Sequence, residues 1–111
     1  MNYSVYPTPD FKKFLKKLVK KYPSLKTDLQ GLIRTLEAEP DSGIHLGHGI
    51  HKIRLAVKSK GKGKSGGARV ITYLVTQDQE VYLVYIYDKS QLENITKEQI
   101  LELLKKAGLN D

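Results

Sequence analysis

HKIRLAVKSKGKGKSGGARVITYLVTQDQEVYLVYIY, residues 51–87, opens with His51, Ile53, Leu55 and Val57 alternating with Lys52, Arg54, Ala56 and Lys58. A period of two belongs to a β-strand, and this strand has one apolar face and one cationic face. Residues 68–75 and 81–87 are rich in β-branched and aromatic side chains, and the polar residues 76–80 between them suit a hairpin turn. The stretch therefore predicts three strands in an antiparallel meander.

On the amino-terminal side the period changes to that of a helix. Thr8, Pro9 and Asp10 supply an N-cap, a first helical position and a first-turn acid. Phe11, Phe14, Leu15, Leu18, Val19 and Tyr22 then fall on one helical face, with the pairs Lys12/Lys13, Lys16/Lys17 and Lys20/Lys21 mostly on the other. Pro23 stops this helix, and Ser24 is placed to cap a second one whose leucines run to Pro40. So short a link makes the two helices an antiparallel hairpin. Residues 2–6 read as a short strand and residues 41–49 as a glycine-bearing loop. On the carboxy-terminal side, Thr96 and Gln99 form a capping box, Ile95 and Ile100 a hydrophobic staple, and Gly108 a stop for a short helix. The expected architecture is α+β: one domain over residues 1–111, with an N-terminal strand and helical hairpin packed on a small twisted antiparallel sheet, followed by a short C-terminal helix.

Composition narrows the chemistry. The chain has no cysteine, which removes thiolate mechanisms and cysteine-based zinc sites. No window resembles a membrane span and no signal-peptide pattern opens the chain, so a cytoplasmic protein without membrane association is expected. The formal net charge is +7, and it is unevenly placed. Between Asp41 and Asp78 there is no acidic residue, whereas Lys52, Arg54, Lys58, Lys60, Lys62, Lys64 and Arg69 are all basic. This segment accounts for the whole excess and points to an anionic partner.

Lysines alternating with glycine and serine make residues 58–67 a cationic loop suited to a phosphate backbone, so Lys58, Lys60, Lys62 and Lys64 are expected to bind a polyanion such as RNA. The loop lacks the GxxxxGK[ST] pattern and joins strand to strand, which argues against a nucleotide-binding P-loop. Lys52 and Arg54 project from the same strand face, and Arg69 stands where the next strand begins. Such a cluster can stabilise the charge that develops on a phosphodiester attacked by a ribose 2′-hydroxyl. His45, His48 and His51 are candidates for a general base, for loop solvation, or, in the case of His51, for partial burial on the apolar face. Tyr73, Tyr82, Tyr85 and Tyr87 are either base-stacking or packing residues, and the lysine-rich face of the first helix reads as a solvated surface.

Residues 47–104 resemble the toxins of the RelE/ParE superfamily, most closely its HigB-like branch. The likeness is carried by KIRLA, by the glycine-lysine loop with GGARVITY, and by IYDKSQLENIT. It implies a twisted sheet packed against two helices and an endoribonuclease, an mRNA interferase, that cuts messenger RNA in the ribosome by 2′-hydroxyl attack without metal or other cofactor. It also implies a cognate antitoxin, typically a helix-turn-helix, HigA-like protein. Lys52 and Arg54 match the basic pair of the family's catalytic strand, and Arg69 matches the arginine that stabilises the transition state. Ser90 stands where RelE-like members carry an arginine acting as acid, and Lys89 beside it supplies a cation. Thr96 falls at about the place where they carry a carboxy-terminal tyrosine, which has no clear counterpart here; Tyr87, which ends its strand beside Lys89, is the last of the expected site residues. The superfamily's ParE branch inhibits DNA gyrase, so a non-catalytic inhibitor or a basic RNA-binding module is the alternative.

Overall fold

The computed structural model describes residues 2–61, 63–91 and 94–109. The chain forms β1 (Ser4–Pro7), α1 (Pro9–Lys21), α2 (Leu25–Ala38), β2 (Ile44–Gly47), β3 (Ile50–Leu55), a single turn α3 (Gly63–Gly66), β4 (Ala68–Val75), β5 (Glu80–Asp88) and α4 (Lys97–Lys106). The sheet order is β1-β5-β4-β3-β2. Its centre, β3-β4-β5, is the expected antiparallel meander.

The sheet as a whole is mixed, which corrects the expectation of an antiparallel one. β1 lies parallel to β5, Val5 opposite Val81, because α1 and α2 carry the chain away before the partner strand is made. Residues 41–49, expected as a loop, contain β2, which pairs antiparallel with β3. Its tight turn needs left-handed backbone at Gly47, His48 and Gly49 (φ 93°, 54° and 79°), two of them supplied by glycine.

Local chemistry accounts for the helix ends. The Thr8 hydroxyl accepts from the Phe11 amide at 3.2 Å, with Pro9 in the first turn. Ser24 departs from its expected capping role: its hydroxyl binds Asp28 Oδ2 at 2.8 Å and accepts from the Ser59 amide at 2.8 Å. The corner between α1 and α2 is thereby tied to the one-turn 3₁₀ segment Lys58–Lys60. In α4 the reciprocal box is formed, Gln99 N donating to Thr96 Oγ1 at 3.1 Å and Thr96 N to Gln99 Oε1 at 2.9 Å.

Helices cover both faces of the sheet. Phe11, Leu25, Leu29 and Leu36 of α1 and α2 pack with Ile53, Leu55, Val70, Val81, Leu83 and Ile86. On the opposite face Ile95, Ile100 and Leu104 pack on Ile50, Ile71 and Val84. A ten-residue helix is not stable alone, so α4 depends on these few aliphatic contacts, each worth about 1.5–3 kcal/mol.

One irregularity sets the face of half of β5. Thr72 is opposite Leu83 whereas Ile71 is opposite Tyr85, so Val84 is an extra residue, a β-bulge. Alternation is reset there: Val81 and Leu83 share a face with Ile86, and Tyr82 shares the other with Tyr85 and Tyr87.

His51 is buried on the face covered by α1 and α2, 3% exposed, more fully than the sequence suggests. Its Nδ1 donates to the Gly49 carbonyl at 3.1 Å, and its Nε2 has no partner among the described residues. Burial lowers its pKa, with the Gly49 carbonyl opposing and His45 adding to the effect. The folded protein therefore binds fewer protons than the unfolded chain below the ordinary histidine value of about 6.5, and stability falls as pH drops through that value. Thermal melts from pH 7.5 to 5 are expected to show a steeper loss of Tm for the wild type than for His51→Gln. Parallel curves would remove His51 as the cause.

Candidate active site

The register of the three central strands brings the separated basic residues together. Arg54 of β3 is opposite Arg69 of β4, and Arg69 is opposite Tyr87 of β5. The three form one row across the α4 side of the sheet, on strands about 4.8 Å apart. Lys52 stands two residues along β3 on the same face, in the row Lys52, Ile71, Tyr85.

Within the row exposure is graded. Arg54 is exposed, whereas Arg69 and Tyr87 are only 6% and 4% exposed. The Arg69 guanidinium donates to the Ala68 carbonyl at 3.1 Å, which helps fix its direction. The Tyr87 hydroxyl has no hydrogen-bond partner among the described residues. Burial, the larger influence, raises its pKa, and the positive charge of Arg69 opposes this. Tyr87 thus remains a protonated donor at neutral pH. A buried, unpaired hydroxyl costs about 1–3 kcal/mol, a cost that a bound anionic oxygen would remove.

The remaining expected site residues divide. Lys52 is half-buried and donates to Asn94 Oδ1 at 3.5 Å. Lys89 follows β5 directly and is half-buried, its amide donating to the Gly67 carbonyl at 3.2 Å. Lys58 is exposed at the start of the connection between β3 and β4. Lys62 and the side chain of Lys64 lie outside the described residues.

Lys60 is placed differently from Lys58. Its ammonium sits 2.5 Å from the carboxylate of Asp88, with side-chain exposures of 5% and 0%. Asp88 also accepts from the Tyr22 hydroxyl at 2.5 Å and from the amide and hydroxyl of Ser90 at 3.0 and 2.7 Å. Burial works to raise the Asp88 pKa, but the hydrogen bonds from Lys60, Tyr22 and Ser90 outweigh it and hold the carboxyl well below the usual range. Lys60, expected to bind RNA, closes an internal ion pair in this structure, and its ammonium is buried where Lys58 is exposed. The reason is tertiary: the loop folds back so that its cation meets the one acid at the end of β5.

Gly67 makes this closure possible. A Cβ there would lie 2.1 Å from the Leu55 carbonyl oxygen, so only glycine admits the close approach of the two backbones. The same residue's carbonyl accepts from Lys60 Nζ at 3.3 Å.

Sequence reasoning did not single out Asp88, and read Tyr22 only as part of an apolar helical face and Ser90 only as standing in the place of an arginine. Asp88 and Ser90 stood inside the quoted motif IYDKS, where an acid in a basic, apolar context is itself a signal for a buried pair. The histidines, by contrast, are not in the row. His51 projects from the face opposite Arg54, and the His45 ring packs edge-on against it at 4.2 Å between centroids.

A family model described as "RelE toxin of RelE / RelB toxin-antitoxin system" matches residues 4–110. Among solved structures, a double arginine-to-alanine mutant of E. coli toxin RelE in the free state superposes with a TM-score of 0.61 at 15% sequence identity, over 96% of this chain and 98% of that one. At that identity the likeness concerns the fold, α+β with helices on a five-stranded mixed sheet.

Proposed function

Since the chain belongs to the family of RelE toxins of toxin–antitoxin systems, we propose that it is an endoribonuclease that cuts messenger RNA on the ribosome, of the HigB-like kind. Membership implies an antitoxin partner; we take that partner to be a helix-turn-helix, HigA-like protein and the site of action to be the cytoplasm. Among the described residues no helix is long and apolar enough to cross a membrane.

The observation that supports the reading best is the cross-strand row of Arg54, Arg69 and Tyr87. In the proposed reaction a ribose 2′-oxygen bonds to the adjacent phosphorus and the bond to the next nucleotide's 5′-oxygen breaks. The products are a 2′,3′-cyclic phosphate and a 5′-hydroxyl, so one proton leaves the 2′-oxygen and one reaches the 5′-oxygen. No metal or cofactor enters this scheme. Arg69, held by its carbonyl contact, and Arg54 offer guanidinium donors to the non-bridging oxygens, where negative charge grows. Tyr87, kept protonated by burial, suits delivery of the proton to the departing oxygen. Lys52, on the same face, is the candidate to take the 2′ proton. Lys89 adds positive charge at the end of β5, and Lys58, with Lys62 and Lys64, would extend the phosphate-binding surface.

Primer extension on a reporter messenger RNA, with purified protein and with or without translating ribosomes, tests this. New 5′ ends that appear only with ribosomes are the expected result. Growth arrest in cells with no cleavage in either condition would replace the nuclease reading with that of a ParE-like gyrase inhibitor.

A further inference from the structure

The lysine face of α1 divides into two rows with different surroundings. All six lysines, Lys12, Lys13, Lys16, Lys17, Lys20 and Lys21, are exposed, while the opposite face supplies Phe11, Phe14, Leu15 and Leu18 to the core. At 1.5 Å rise per residue, lysines four apart recur about every 6 Å along the helix, a step comparable with that between successive phosphates of one nucleic-acid strand.

Only one row borders the candidate site. Phe14, three positions before Lys17 and on the same flank of α1, meets Tyr85 edge-on at 4.5 Å. Lys17 lines a cleft of about 200 Å³ together with Tyr85, Tyr87, Asp88 and Gln91. Lys21 reaches to 3.9 Å from Asp88, beside Tyr87, and its side chain keeps 52% of its exposure. Lys13, Lys17 and Lys21 thus run from the end of the Arg54–Arg69–Tyr87 row along the outside of α1. Asp10, the acid at the far end of the helix, is paired with Lys106 of α4 at 3.3 Å. Lys12 and Lys16 are turned about 140° and 100° around the helix from Lys17, away from this cleft, and Lys20 stands between the two flanks.

We propose that Lys13, Lys17 and Lys21 form a track for the phosphate backbone of the RNA strand that occupies the Arg54–Arg69–Tyr87 row, extending the site by several nucleotides past the reacting phosphate; this rests on the nuclease reading above. The track is continuous with the site, whereas Lys12 and Lys16, on the other flank of α1, are general solvated charge. Lys60, neutralised by Asp88, lies beneath the junction and adds no charge to it.

The two rows provide their own control, because Lys13→Gln with Lys17→Gln removes the same charge as Lys12→Gln with Lys16→Gln. Binding would be measured with fully 2′-O-methylated oligouridine, which has no free 2′-hydroxyl to react, of 4 and of 16 nucleotides over a range of salt concentrations. For the 16-mer the Lys13/Lys17 pair is expected to weaken binding at least tenfold and to lower the salt slope by about 0.7 per lost phosphate contact. The Lys12/Lys16 pair should change it less than twofold, and the 4-mer should bind both variants as it binds the wild type. Equal losses in the two pairs, or no loss in either, would overturn the track. Because the probe is not cut, the track can fail while the wild type cleaves messenger RNA, or hold while it does not, so the two readings are tested separately.

Discussion

Arg69→Ala is expected to lower the rate of RNA cleavage by about 10²–10³-fold, the usual consequence of removing one preorganised donor from developing negative charge. The fold should survive the change. Arg69 faces the like charge of Arg54 directly across the strand pair, so shortening it removes a repulsion along with its own contacts. Arg69→Lys should recover only part of the rate, because an ammonium keeps the charge without the planar fork of the guanidinium. Single-turnover cleavage beside thermal melts separates the outcomes. Cleavage within threefold of wild type in the alanine variant would remove Arg69 from the reaction, and loss of activity with loss of the folded baseline would make its role structural.

Asp88→Ala is expected to have the largest effect on stability, about 3–5 kcal/mol, because the Lys60 ammonium would be left buried without its partner. For a domain of this size that corresponds to roughly 10–20 °C in Tm. The Tyr22 hydroxyl and Ser90 would lose the same acceptor. Adding Lys60→Met should restore a substantial part of the loss, since the uncompensated charge is then gone; a strictly additive double variant would mean that the ion pair is not the origin. The pH dependence has a definite sign. Asp88 titrates below its unfolded-state value, so its contribution is fully present above about pH 4 and is lost as pH falls through the folded value. A wild-type melt that is flat through this acid range would contradict the assignment.

The sequence alone determined a good deal. The period-two stretch from His51, the helical stripe from Phe11 to Tyr22, the stop at Pro23 and the box at Thr96 and Gln99 are local patterns, and local backbone geometry obeys them wherever the chain goes. They fixed the central meander, the helical hairpin and the last helix, and they placed Lys52 and Arg54 on the cationic face of β3. Only the tertiary structure decided what depended on partners distant in the chain. The parallel pairing of β1 with β5 joins residues some 76 positions apart, which no local period encodes. The bulge at Val84 reset the alternation of β5, so strand parity read from the sequence could not put Tyr87 on the face of Arg69. Lys60 looked the same as its neighbours in a glycine-lysine run, yet it alone among the described residues of that run reaches Asp88, because Gly67 lets the loop close against Leu55. Which cation faces a ligand and which is held inside is set by where the chain returns, a property of packing and not of composition.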